Sequence, residues 1–186
     1  KRGKNTIFLG AIADDIAGAT DLYHIYSAGA CARFRKCACP LKIIRLHDAN
    51  VVVSSLATRT GPAKSAMLQS VAAPRWLQGR SAKQIFFQYR STFLPANRGN
   101  IGPVANALLD ATSEDFTVVC PVFPNAGRTL FQGHLFHNNL LLSKSFMSSH
   151  LMAPMKQSNL IKVLSRKTKH QVDLVPNEVV RIYPEA

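Results

Sequence analysis

Acidic residues are scarce in this sequence: ten Asp and Glu stand against 23 Lys and Arg, for a formal net charge of +13 and a pI near 10.1. Such an imbalance raises nucleic acid as a partner, but the patterns that read it are missing. The basic residues are scattered (Lys1, Arg2 and Lys4; Arg33, Arg35 and Lys36; Arg166, Lys167 and Lys169), with no zinc-finger spacing, no aromatic RNA-binding strand and no long basic helix. A solvated basic surface that attracts small anions is the plainer reading, and no specific nucleic-acid partner is expected. Cysteine is also sparse. Cys31, Cys37, Cys39 and Cys120 include no C-x-x-C pair, so neither a zinc site nor a redox motif is expected. No apolar run approaches the roughly 20 residues that cross a bilayer, so no membrane role is expected. The opening "KRGKNTIFLGAIADD" has basic residues before an apolar stretch, but that stretch runs into two carboxylates without a cleavage site. It reads as a first strand and not a leader, with the cytoplasm as the default location. A G-x-x-x-x-G-K-[ST] phosphate loop is absent as well.

What is present is a globular composition, 47% hydrophobic and 18% charged over 186 residues, which suits one domain with a full core. "TIFLGAIA" reads as a buried strand. "GATDLYHIYSAG" fits a helix with Leu22, Ile25 and Tyr26 on one face. "ANVVVSSLATRT" is a second strand, and "PAKSAMLQSVAAPRWLQG" a helix with Pro74 inside it. "KQIFFQYRSTF" is a third strand, "NIGPVANALLDAT" a helix with Pro103 in its first turn, and "DFTVVCPVF" a fourth strand. This alternation predicts a three-layer α/β/α domain with a mainly parallel sheet. "RTLFQGHLFHNNLLLSKS" breaks the rhythm and predicts an inserted hairpin at 128–142, turning at His137, Asn138 and Asn139. A short helix near "SNLIKVLSRKT" and a last strand near "QVDLVP" follow.

Ligands of such sheets sit outside the carboxyl ends of the strands. Asp14 and Asp15 end the first predicted strand, Thr58, Arg59 and Thr60 the second, and Ser91 and Thr92 the third. Residues 121–128, with Arg128, follow the fourth. Parallel strands would bring these clusters to one rim. Helix capping is the bland explanation of an Asp pair, at about 0.5–2 kcal/mol.

The chain resembles the four-carbon acid sugar kinase family, closest to its 3-oxo-tetronate kinase members. The resemblance is carried by "IADDIAGATDL", "RTGPA", "RWLQ", "QIFFQYRSTF", "GNIGPVANALLDA", "DFTVVCPVFPNAGRTLFQGHLF" and "LMAPMKQSNL", in family order along nearly the whole chain. It implies a two-domain enzyme that phosphorylates the terminal hydroxyl of a four-carbon sugar acid. The N-terminal domain holds the sugar acid, and a C-terminal domain supplies most of the ATP site. Residues 1–186 correspond to the first domain alone. ATP and Mg2+ belong to the complete enzyme, no tight cofactor or metal binding is expected of this chain, and a separate kinase domain is an expected partner.

In that setting Asp15 is the candidate catalytic proton acceptor, with Asp14 capping or supporting, or the reverse. Arg59 suits the substrate carboxylate, with Arg128 as the alternative. Ser91 and Thr92 suit sugar hydroxyls, Gly99 and Asn100 open a helix whose N–H groups can receive an anion, and Gly133 and His134 lie in the hairpin. The chain also departs from its family. Ile16–Ala17 loses a hydroxyl, Ala57 and Gln88 replace lysines, Leu94 an aspartate, Pro95–Ala96 a Ser–Thr pair and Pro74 a leucine, while "GACARFRKCACP" is a poor strand where relatives have β-formers. The leading expectation is therefore a substrate-binding half-kinase, inactive alone. A non-catalytic, degenerate remnant of the same fold is the alternative, and a basic nucleic-acid binder a distant third.

Overall fold

The computed structural model describes residues 7–28, 34–37, 50–90, 93, 99–150 and 154–182. The chain groups into two compact units: 1–89 with 103–117, and 90–102 with 118–186.

The first unit is the predicted parallel α/β body. β1 (Leu9–Ala13), β2 (Phe34–Cys37), β3 (Val51–Ser55) and β4 (Gln84–Gln88) form one sheet in the order β2-β3-β1-β4, every pair parallel. Alternate residues of the inner strands serve opposite faces. Ile12 and Val52 pack with Ala66, Ala73 and Leu77 of α2 (Ala63–Gln78) and with Val104 and Leu108 of α3 (Ile101–Thr112). Ala11, Ala13 and Val53 pack with Ala19, Leu22 and Tyr26 of α1 (Ile16–Ala28). Helices on both faces make the three layers. Gly10 lets α2 come close, because a Cβ there would stand 2.7 Å from Leu77 Cδ1.

Three expectations are corrected here. Ile25 is not on the buried face of α1 but 55% exposed. "DFTVVCPVF" is not a strand: only Phe123 makes an isolated bridge, and Phe116 and Val118 are 78% and 79% exposed. "QVDLVP" is not a strand either, and α5 (Asn177–Ile182) follows it. Strand propensity measures the fit to a half-buried pleated surface, and neither segment has a ladder partner among the described residues to supply one. The reverse holds at β2, where a poor strand sequence is paired to β3 over Phe34–Cys37.

Pro74 lies inside α2 and is fully buried. Its ring removes one helix hydrogen bond and crowds the carbonyl four residues back. Pro74→Ala recovers about 3 kcal/mol of helix propensity and loses about two buried methylenes, near 1.6 kcal/mol. A net gain of about 1 kcal/mol is expected in urea unfolding, and a loss of stability there would show that the ring's packing outweighs its strain.

The second unit carries the predicted hairpin. β5 (Arg128–Phe131), β6 (His134–His137) and β7 (Leu140–Leu141) pair antiparallel in that order. Two tight turns shape it. Gln132 and Gly133, at φ 46° and 72°, join β5 to β6 in the doubly left-handed conformation that matches strand twist. Asn138, at φ 51°, opens the expected turn from β6 to β7. The short helix is α4 (Leu160–Ser165), capped by the Asn159 side chain, which accepts from the Lys162 N–H at 3.0 Å.

Candidate functional site

In the first unit the chain leaves β1 for α1 on one face, and leaves β3 for α2 and β4 across β1 on the other. The strand order therefore changes direction between β1 and β3, which is where a parallel sheet opens a crevice at its carboxyl edge. The residue closing β1 at that point is Asp14. It is buried, and its backbone ties the ends of β1, β3 and β4 together. The Asp14 carbonyl accepts from the N–H groups of Thr58 at 3.0 Å and Arg59 at 3.2 Å, while its own N–H donates to the Gln88 carbonyl at 3.0 Å.

Asp15 is the N-cap of α1. Its Oδ1 accepts from the Gly18 N–H, three residues on, at 2.6 Å, and its Oδ2 faces Arg59 Nη1 at 3.4 Å. The capping role and a side chain at the sheet rim are thus combined in one residue. Gly18 keeps the corner narrow, since a Cβ there would lie 3.3 Å from Gln88 Cγ and 3.4 Å from Asp15 Oδ1. Arg59 spends one Nη on Asp15, and its Nε is buried without an acceptor. A carboxylate, a guanidinium with a donor to spare and the buried Asp14 thus share the crevice. Such a set can orient a hydroxyl and meet a small anion.

The remaining candidates belong to the second unit or lie outside the described residues. Ser91 and Thr92 are among the latter, as are Leu94, Pro95 and Ala96. Gly99 and Asn100 lead into α3, and the Gly99 carbonyl accepts from Lys167 Nζ at 3.0 Å. Gly133 has a structural reason of its own: it turns the hairpin, and a Cβ there would stand 2.8 Å from Ile161 Cδ1. His134 places Nδ1 2.8 Å from the Gln132 carbonyl and Nε2 3.4 Å from Asn159 Nδ2, so Nδ1–H donates and Nε2 accepts. Arg128 is buried opposite His137. His137, expected in the turn, is instead the last residue of β6. The Gln132–Gly133 turn, which sets the pairing register, was the signal that could have placed it on a strand beside Arg128. Among the described residues no group of three or more His, Cys, Asp or Glu could hold a metal ion, and no helix is long and apolar enough to cross a membrane.

Lys167 was also missed. Burial lowers its pKa from 10.5 to about 8. Unfolding restores the ordinary value, so between about pH 8 and 10.5 the unfolded chain binds more protons, and stability rises with pH through that window. Below it the cost of the buried ammonium is present in full. The rise should amount to about 1–2 kcal/mol, less than an unscreened shift because the amine is only half-buried. Lys167→Met should flatten it in unfolding measured across that range, and an unchanged slope would remove Lys167 as its source.

Residues 9–186 match the family described as the sugar-binding N-terminal domain. A 3-oxo-tetronate kinase of Burkholderia multivorans is 44% identical over 92% of the chain, and one of Haemophilus influenzae is 38% identical over 90%. The chain spans about 40% of the length of each of these curated relatives. Among solved structures, a Salmonella typhimurium LT2 protein superposes with a TM-score of 0.90 at 35% identity, covering 95% of this chain and 42% of its own. Haemophilus influenzae protein HI1011 does so with a TM-score of 0.84 at 36% identity, covering 93% and 42%.

Proposed function

Since the chain belongs to the family of sugar-binding N-terminal domains, we propose that residues 1–186 hold a four-carbon sugar acid for a kinase whose nucleotide site lies in a further domain. The observation that carries this reading is the Asp15–Arg59 pair beside Asp14, at the carboxyl ends of β1 and β3. Phosphoryl transfer needs little covalent help from a protein. It needs the attacking hydroxyl in line, a group to take its proton, and charge neutralisation. Asp15 orients the terminal hydroxyl and accepts its proton, and Asp14 supports it from the strand end. Arg59, or alternatively Arg128, holds the substrate carboxylate. Ser91, Thr92, Gly99, Asn100, Gly133 and His134 contribute to the sugar-acid site. ATP and Mg2+ arrive with the other domain, and the chain is inactive alone.

Calorimetry tests this reading. D-erythronate and L-threonate are titrated into the chain with and without a supplied nucleotide-binding domain, and ATP into the chain alone. Turnover is expected only with both domains present. Micromolar ATP affinity in the isolated chain would contradict the assignment of the nucleotide to the other half.

A second reading, a remnant with an eroded site, is favoured by Ala57 and Gln88, which stand at the strand ends around the aspartate pair where the resemblance expects lysines. On that reading sugar-acid affinity is weak or absent in the chain as it is. Ala57→Lys, Gln88→Lys and Leu94→Asp together recover part of it, and tight tetronate binding by the unaltered chain sinks the reading.

A further inference from the structure

Arg128 opens β5 and is 6% exposed, with its Nε cut off from water. Removing a cation from water costs several kcal/mol unless an anion or a full set of acceptors compensates it. Here the compensation is incomplete. One Nη donates to the Ala126 carbonyl at 3.5 Å and contacts His137 Nδ1, while Nε is buried with no acceptor. Among the described residues no carboxylate pairs with it, whereas Arg59 already faces Asp15. Burial pushes the Arg128 pKa down, in keeping with a cation short of partners.

His137 stands directly across the β5–β6 ladder from Arg128. Residues so paired share one face of the hairpin. A guanidinium carries only donors, so the ring nitrogen that meets it has to accept. A hydrogen bond between them therefore calls for a neutral imidazole with its proton on Nε2. His137 also pairs with Leu140 on β7 and meets the Phe146 ring edge-on at 5.0 Å. Of these three residues only Arg128 is charged.

We infer that His137 is a positioning residue: as a neutral imidazole it holds the Arg128 guanidinium in place for an anionic group of the ligand, and its protonation breaks that hold. The inference rests on the reading that a sugar-acid carboxylate needs a cation here. It selects Arg128, the arginine without a carboxylate of its own, over Arg59. Protonating His137 removes the acceptor and sets a second positive charge against the first. Carboxylate binding then becomes weaker on the acid side of the His137 titration, although no residue that touches the carboxylate has changed charge.

Nitrogen NMR on the isotope-labelled chain decides the matter, read at the His137 ring and at the Arg128 Nε–H. At neutral pH His137 should show a bare Nδ1 and a protonated Nε2, and Arg128→Gln should raise its titration midpoint. The Arg128 signal should follow the His137 titration in the parent chain. It should become indifferent to pH in His137→Asn, whose amide oxygen can stand where Nδ1 stood, and should broaden or vanish in His137→Leu. A protonated Nδ1, a midpoint unmoved by Arg128→Gln, or an Arg128 signal unmoved by both changes at 137 would overturn the inference. If His137→Leu does not fold, the tautomer and the Arg128→Gln shift still decide it. Added D-threonate should move the Arg128 signal above the His137 midpoint and much less below it. If D-threonate moves nothing while tautomer and midpoint behave as stated, the carboxylate assignment fails and His137 still positions Arg128.

Discussion

Asp15→Asn should leave the fold in place and cut turnover about 100- to 10,000-fold, the range typical of a lost general base. The measurement requires both domains, so it is made on a chimaera of this chain with the remainder of the Burkholderia multivorans relative, carrying restored lysines if the parent chimaera is too slow. Two roles meet in Asp15, and this substitution separates them. Asparagine caps helices about as well as aspartate, and its Oδ1 can still accept from the Gly18 N–H that Asp15 now serves. What disappears is the charge facing Arg59 at 3.4 Å. A partly exposed pair of that kind contributes about 1 kcal/mol at most, so the melting temperature should barely move. Asp15→Ala, by contrast, loses the cap as well, at about 1 kcal/mol more. The loss in Asp15→Asn should fall on kcat and not on KM, because proton acceptance matters in the transition state and hardly in the ground state. Unchanged turnover would rule Asp15 out as the acceptor and pass the role to Asp14.

Gly102→Ala should destabilise the second unit by about 2–3 kcal/mol, a typical cost of forcing atoms into a packed site. In the first turn of a helix alanine would ordinarily be the better residue, by up to about 1 kcal/mol. At this position the added Cβ would collide with Lys167, lying 2.8 Å from its carbonyl oxygen and 2.9 Å from its carbonyl carbon. Those are backbone atoms, which no rotamer change can move aside. The start of α3 or the turn after α4 has to shift, and the Lys167 bond to the Gly99 carbonyl is strained with it. Urea unfolding checks the size of the effect, and the background Lys167→Ala checks its cause. Because the carbonyl remains when the side chain is shortened, most of the loss should persist there. A variant as stable as the parent chain would mean that the turn yields freely.

Much of the fold was legible along the chain, for reasons that can be stated element by element. β1 and β3 are short, continuous apolar runs bounded by polar residues, a pattern that only a strand buried on both faces explains well. α3 has a helical period with a proline in its first turn, where a missing N–H costs little. The second turn of the hairpin is marked by Asn138–Asn139, residues suited to a left-handed turn between apolar pairs. The candidate site was legible to the same extent. Asp14, Asp15 and Arg59 come together because parallel strands end at one edge, and the alternation of strands and helices had already implied parallel strands.

What the sequence by itself determined is therefore the family, the parallel α/β body, the hairpin and the place where the aspartate pair falls. Tertiary structure decided the rest, because each remaining feature depends on a partner distant in sequence. Phe34–Cys37 became a strand only because Val51–Ser54 offered it a ladder. The more strand-like "DFTVVCPVF" found no ladder among the described residues and forms no strand. Asp15 became cap and ion-pair partner at once because Arg59, 44 residues on, ends beside it. Arg128 and His137 became a pair because a two-residue turn sets their register. Local propensity is a weak term of about 1 kcal/mol per residue or less. Burial and the satisfaction of polar groups are worth more, and both are settled by whichever neighbours the fold brings.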